Sequence, residues 1–129
     1  MEDIIEVLSK LEDFAFVKGV SENDIAKAEE NLGVQFAPDY KQYLAEYGLA
    51  SADGHELTGI VKSPRLNVVD VTIKLRKKFK NVPVDAYVLE EVGIDKLVIF
   101  QTSDGSIYKA TPESQFIKVA GSLSEYLEK

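Results

Sequence analysis

The apolar positions change their spacing along the chain, and the change divides it into a helical front and a strand-rich back. Ile4, Ile5, Leu8, Leu11 and Phe14 recur at helical spacing, which predicts an amphipathic helix over residues 3–14 ended by "FVKG". Ser21, with Asp24 three residues on, is placed to cap a second helix whose face carries Ile25, Ala28 and Leu32. Gly33 follows as its left-handed cap, because glycine has no Cβ to clash in that conformation. In "LGVQFAPDYKQYLAEYG", Val34 and Phe36 cross to Pro38, which suits a first helical turn where its missing N–H costs nothing. Tyr40, Tyr43, Leu44 and Tyr47 then form one helical stripe, read as core-facing with hydroxyls reaching the edge, and Gly48 is the expected stop.

Beyond residue 48 the pattern shortens. "LASADGHE" reads as a polar loop and "LTGIV" as a short strand, with Gly59 marking a bulge or a close approach. Asp70 is the expected cap of a helix through "VTIKLRKKFK", with Val71, Leu75, Phe79 and Val82 on one side and Pro83 beyond its end. "AYVLEEV", "KLVIFQT", "IYKA" and "QFIKVA" are rich in strand formers, and "TSDGS" is a hairpin signal because Asp-Gly tolerates positive φ. "SLSEYLEK" closes as a short helix capped by Ser122 or Ser124. No internal repeat or long linker interrupts the chain, so a single domain over residues 1–129 is expected. Its class is α+β: N-terminal helices, then a mainly antiparallel sheet of hairpins with one crossing helix and a short C-terminal helix.

Composition narrows the functional classes. With 45% hydrophobic and 29% charged residues in 129, a core can form. No apolar run reaches the roughly 18 residues of a membrane span, and the acidic amphipathic start is unlike a secretory signal, so a cytoplasmic protein with no membrane partner is expected. Cysteine is absent, which removes thiolate chemistry, disulfides and cysteine-held zinc. His55 is the only histidine, so a histidine-rich metal site is impossible. No phosphate-cradling glycine loop, dinucleotide fingerprint or nucleophile elbow occurs, and no cofactor or metal is expected. Glu29–Glu30 and Glu90–Glu91 are adjacent pairs, which diverge on either a helix or a strand, so neither is a ready acid–base dyad. The expectation is a protein that is not an enzyme.

The net charge of −7 is uneven: residues 1–56 carry a balance of −9 and residues 57–129 one of +2. An acidic front disfavours direct nucleic-acid binding and attracts a basic protein partner. The one basic cluster, "KLRKKFK" (Lys74, Arg76, Lys77, Lys78, Lys80), is either an acidic-partner patch or a solvated helix face with cations near the helix C-terminus, and the acidic whole favours the second.

"VSENDIAKAEENLGVQFAPDYKQYLAEYG" resembles the opening of the SUKH superfamily, which includes the fungal Smi/Knr-type cell-wall regulators. The matching positions are Ala28, Glu29, Leu32, Gly33, Phe36, Pro38, Tyr40, Leu44, Tyr47 and Gly48. "ELTGI", "AYVLEEVGIDKLVIFQTSDGSIYKA" and "SLSEYLEK" are similar to its later strands and closing helix, although the tryptophan common in relatives is missing. The resemblance implies a cytoplasmic immunity protein that occludes the toxin domain of a polymorphic toxin, a nuclease being the expected class. The alternative is a non-catalytic regulatory adaptor in cell-wall or signalling control, a role that usually comes with long disordered flanks. As toxin contacts, the acidic and polar positions in expected loops and strand ends are singled out as exposed: Asp53, His55, Glu56, Glu90, Glu91, Asp95 and Asp104.

Overall fold

Helices and two separate antiparallel sheets interleave along the chain. A computed structural model describes residues 3–128. Helix α1 (Ile4–Lys10) leads to β1 (Ala15–Lys18), then α2 (Glu22–Leu32), α3 (Pro38–Glu46), β2 (Tyr47–Ala52) and β3 (His55–Glu56). Helix α4 (Val68–Arg76) follows, then β4 (Tyr87–Glu91), β5 (Val98–Gln101), β6 (Ile107–Ala110), β7 (Ile117–Ala120) and α5 (Leu123–Glu128). Strands β1-β2-β3 form one sheet and β4-β5-β6-β7 an antiparallel meander. The α+β expectation holds, with two sheets in place of one.

The capping signals act as their chemistry requires. The Ser21 side chain accepts from the Asp24 amide. Gly33 takes φ 69° and its N–H closes onto the carbonyls of Glu29 and Glu30. Pro38 opens α3. Glu29 has a further job that its motif did not reveal: its carboxylate accepts from the Phe36 amide at 2.8 Å and so pins the link between α2 and α3.

Five boundaries differ from expectation, one being that α4 stops at Arg76, short of the expected Lys80. Helix α1 stops at Lys10, and Phe14 belongs to a turn entering β1. The run Ala15–Lys18 pairs with β2 as a strand instead of continuing the helix. Residues 47–56, expected as a helix end and a loop, form the β2–β3 hairpin, where Asp53 and Gly54 both take positive φ, 48° and 80°. Such a pair of residues matches the twist of the flanking strands. "LTGIV" is not a strand; Gly59 makes only an isolated bridge to Asn67. A Cβ at residue 59 would lie 1.9 Å from the Gly48 carbonyl oxygen, so glycine at 59 is what lets the two backbones approach there; a Cβ at residue 48 would instead meet the Lys18 carbonyl oxygen at 2.6 Å. Asn67, not Asp70, caps α4, accepting from the amides of Val69 and Asp70.

The meander has two apolar faces. Val88, Val98, Phe100 and Ala110 pack with Val71, Leu75 and Phe79 of the α4 region. Tyr87, Leu89, Ile99 and Ile107 face the larger core, shared with α1, α2, α3 and α5. Tyr40 and Tyr43 lie in that core without exposure, and Tyr47 is buried too, which bears out the core reading of the tyrosine stripe.

The hydroxyls of Tyr40, Tyr43 and Tyr87 are buried with partners, so those of Tyr40 and Tyr43 do not reach the edge as expected. Tyr43 donates to the Thr58 carbonyl at 3.0 Å and accepts from the Ala50 amide at 2.9 Å. Tyr40 meets the Thr58 hydroxyl at 2.9 Å, which donates onward to the Val88 carbonyl at 2.7 Å. Tyr87 donates to Gln101 at 2.7 Å and accepts from the Ala37 amide at 2.9 Å. Tyr43→Phe keeps the ring but leaves the buried Ala50 amide unpaired. The expected loss is about 1–3 kcal/mol in denaturant unfolding; an unchanged midpoint would contradict this assignment.

Candidate functional site

A bulge in β4 builds the most concentrated polar site. Val88 pairs with Phe100, but Glu90 pairs with Ile99, so Leu89 and Glu90 together oppose one residue. Strict alternation would aim Glu90 at α4, beside Val88. The extra residue turns it to the opposite face, as bulges do. Glu91 then points toward α4, where Lys74 meets it at 3.3 Å.

Glu90 is therefore not an exposed contact: it is 5% exposed. One carboxylate oxygen accepts from His55 Nδ1 at 2.8 Å and from the Tyr126 hydroxyl of α5. The other accepts from the Glu56 amide at 3.1 Å. One buried anion thus ties β3, β4 and α5. His55 is half-buried on β3, not in a polar loop, and its ring meets the Tyr126 ring edge-on at 5.3 Å between centroids. The hydrogen bond to Glu90 raises the His55 pKa above its ordinary 6.5, against the opposing effect of burial, with the Glu90 and Asp53 charges adding to the rise. Burial first, then the bond to Glu90, raises the Tyr126 phenol. A carboxylate holding Nδ1 leaves Nε2 as the free ring nitrogen, an arrangement that fixes orientation and favours the protonated ring.

Around this buried knot lie exposed charges. Glu56 binds Arg65 through two guanidinium contacts, at 2.8 and 3.4 Å, and these hold its carboxyl below the usual range. Asp53 sits in the adjoining turn, its amide bonded to the Glu12 carbonyl. The structure thus gathers His55, Glu56 and Glu90 directly, with Asp53 and Glu91 alongside. Asp95 and Asp104 belong to other turns. Asp95 is exposed at φ 54° between β4 and β5. Asp104 accepts from the Thr102 hydroxyl and the Ser106 amide, which lower its pKa and give it a turn-forming role. Among the described residues, no three His, Asp or Glu side chains gather as a metal site. No described helix is long and apolar enough to cross a membrane.

Tyr126 and Arg65 escaped sequence reasoning. Tyr126 occupies an ordinary amphipathic position, and Arg65 meets Glu56 only through the fold. The basic cluster is largely absorbed into structure: Lys74 pairs with Glu91, Lys80 with Glu113, and Arg76 donates to the Leu32 carbonyl at the end of α2.

The single histidine makes the knot testable. A raised folded-state pKa means that His55 contributes stability in full below about pH 6.5 and loses it as pH rises through the folded value. The ring resonances should titrate above 6.5 in the native chain and shift down in Glu90→Gln, which keeps the shape but removes the charge. Equal midpoints in the two proteins would show that Glu90 does not set the titration.

A comparison with known families matches residues 1–129 to SUKH_5, described as SMI1-KNR4 cell-wall. No curated protein gives a significant match. The match spans the whole chain, and the motif from Ala28 to Gly48 supplies its α2–α3 scaffold. The chain belongs to the SUKH_5, SMI1-KNR4 family.

Proposed function

We propose that this chain is a cytoplasmic immunity protein, an antitoxin that binds and occludes the toxin domain of a polymorphic toxin, with a nuclease as the toxin class its charge best suits. The family includes immunity proteins and is generally non-catalytic. The observation that supports the reading is the set of exposed carboxylates at Asp53, Glu56 and Glu91 around the His55–Glu90–Tyr126 knot, of which Glu56 and Glu91 would exchange their Arg65 and Lys74 partners for cations of the toxin. A nuclease presents a basic cleft for phosphate, and an acidic surface on fixed strands can fill it without chemistry. Complementary charge speeds encounter, while rigid backbone limits the entropy lost on docking. Glu90 acts from beneath, by holding His55 and the Glu56 amide in place. A regulatory adaptor is the second reading, favoured by the cell-wall description of the family.

Capture of the tagged chain's partners from native cytoplasm, with mass spectrometry at moderate salt, tests the first reading. One stoichiometric partner bearing a toxic domain is the expected result. Several substoichiometric wall-synthesis or signalling proteins would favour the adaptor. With the toxin in hand, Asp53→Lys and Glu56→Lys should each slow association by roughly tenfold at low salt. Unchanged rates and unchanged protection after reversing Asp53, Glu56, Glu91 and Asp104 one at a time would sink the acidic-surface version.

A further inference from the structure

Strand β1 ends the three-stranded sheet, and no strand among the described residues pairs with its outer side. All four of its residues are exposed, Phe16 by 58% and Val17 by 49%. On one face, Phe16 stacks with Phe14 at 5.3 Å and leans on Tyr47 at 4.8 Å, forming an aromatic lip. On the other, Ala15, Val17, Leu49 and Ser51 line a shallow cleft of about 150 Å³ that reaches Glu56. Edge strands of this kind are usually blunted by charge, proline or irregularity. Here the devices are confined to one end, where a register shift precedes Lys18. The stretch Ala15–Val17 is apolar on both faces and open along its edge.

Charge selects the occupant. Glu12, Asp13, Glu46 and Asp53 are exposed and adjoin this edge in sequence or by contact, against the one cation of the strand, Lys18: Asp53 bonds the Glu12 backbone and Glu46 adjoins Tyr47, while Glu56, paired with Arg65, borders the cleft from β3 on the far side of the sheet. A second copy pairing β1 with β1 would bring two such sets of carboxylates together, which opposes dimerisation through this edge. A strand flanked by lysine or arginine meets no such opposition.

We infer that β1 is a docking edge that accepts an extended segment of a partner protein with an apolar centre and basic flanks, added as a further strand outside β1. Main-chain hydrogen bonds hold the segment, the Phe14–Phe16–Tyr47 lip and the Val17 cleft receive its alternate side chains, and the carboxylates receive its flanks. The inference rests on the reading of the chain as a protein-binding inhibitor and names the face it would use.

The test uses the full chain and three short synthetic peptides that share an alternating valine–threonine centre: one with arginine and lysine ends, one with glutamate ends, one with proline in the centre. The basic peptide should slow amide exchange across Ala15–Lys18 by roughly tenfold, while the open edge at β7 is unaffected. Val17→Lys should weaken its binding by about tenfold or more and Val17→Glu should not, a difference of sign that loss of packing cannot produce. Matching unfolding midpoints for the two variants confirm that both fold. Absent protection at β1, equal binding of the glutamate-ended peptide, equal protection at β7, or a β1-dependent dimer in sedimentation would overturn the proposal. If β1 takes the basic peptide but native capture yields no toxin, the docking edge stands and the immunity reading falls. If a captured toxin is indifferent to Val17→Lys, the immunity reading stands and this edge is not its site.

Discussion

Burying a tyrosine hydroxyl obliges the fold to find it a partner, and here that obligation joins two sheets that share no backbone ladder. Leaving such a group unpaired in an apolar core costs on the order of 1–3 kcal/mol. Tyr43 therefore reaches Ala50 in β2 and the Thr58 carbonyl, while Tyr40 reaches the Thr58 hydroxyl, which bonds Val88 in β4. Thr58 also donates its amide to Leu89. Tyr87 extends the chain of bonds to Gln101, and Asp39 bridges Gln101 to the Leu123 amide at the start of α5. No buried side-chain polar atom among the described residues lacks a partner. Helix α3 is thus the hub on which both sheets and the last helix are registered.

The same hub explains where function can lie. Its aromatic face is consumed by packing, so the stripe that looks chemically rich is scaffold. What remains outside is a charged rim fastened by the buried Glu90, and an edge strand with its apolar faces open. The carboxylate knot is structural in its contacts: it joins β3 to β4 and α5 and orients the residues on either side.

Local chemistry made the helices legible. Ser21, Gly33 and Pro38 each act within a few residues of chain, and their signals need no tertiary context. The hairpin strands were readable for the same reason, through alternation and the Asp-Gly turn at residues 104–105. The sheet of β1–β3 was not: β2 is rich in alanine, serine and glycine, which carry weak strand preference, while β1 and β3 have four and two residues, too few to show alternation. Asp53-Gly54 offered a turn signal, but the small residues around it hid the ladder. The seven expected contact positions were partly brought together, since five of them flank the β2–β3 turn or the end of β4. Glu90 was misplaced as exposed because a one-residue bulge decides which face it takes, and that decision depends on β5. Tyr126 and Arg65 meet their partners across long stretches of chain, which spacing alone does not encode.

Native-state amide exchange across the whole chain tests the central claim, that one tyrosine network makes the two sheets a single cooperative unit and leaves β1 outside it. The amides of Ala50, Thr58 and Val88 should open with one shared free energy equal to that of global unfolding, and those of β1 should open well before them. Separate opening energies for Ala50 and Val88, or β1 amides as protected as theirs, would contradict the account.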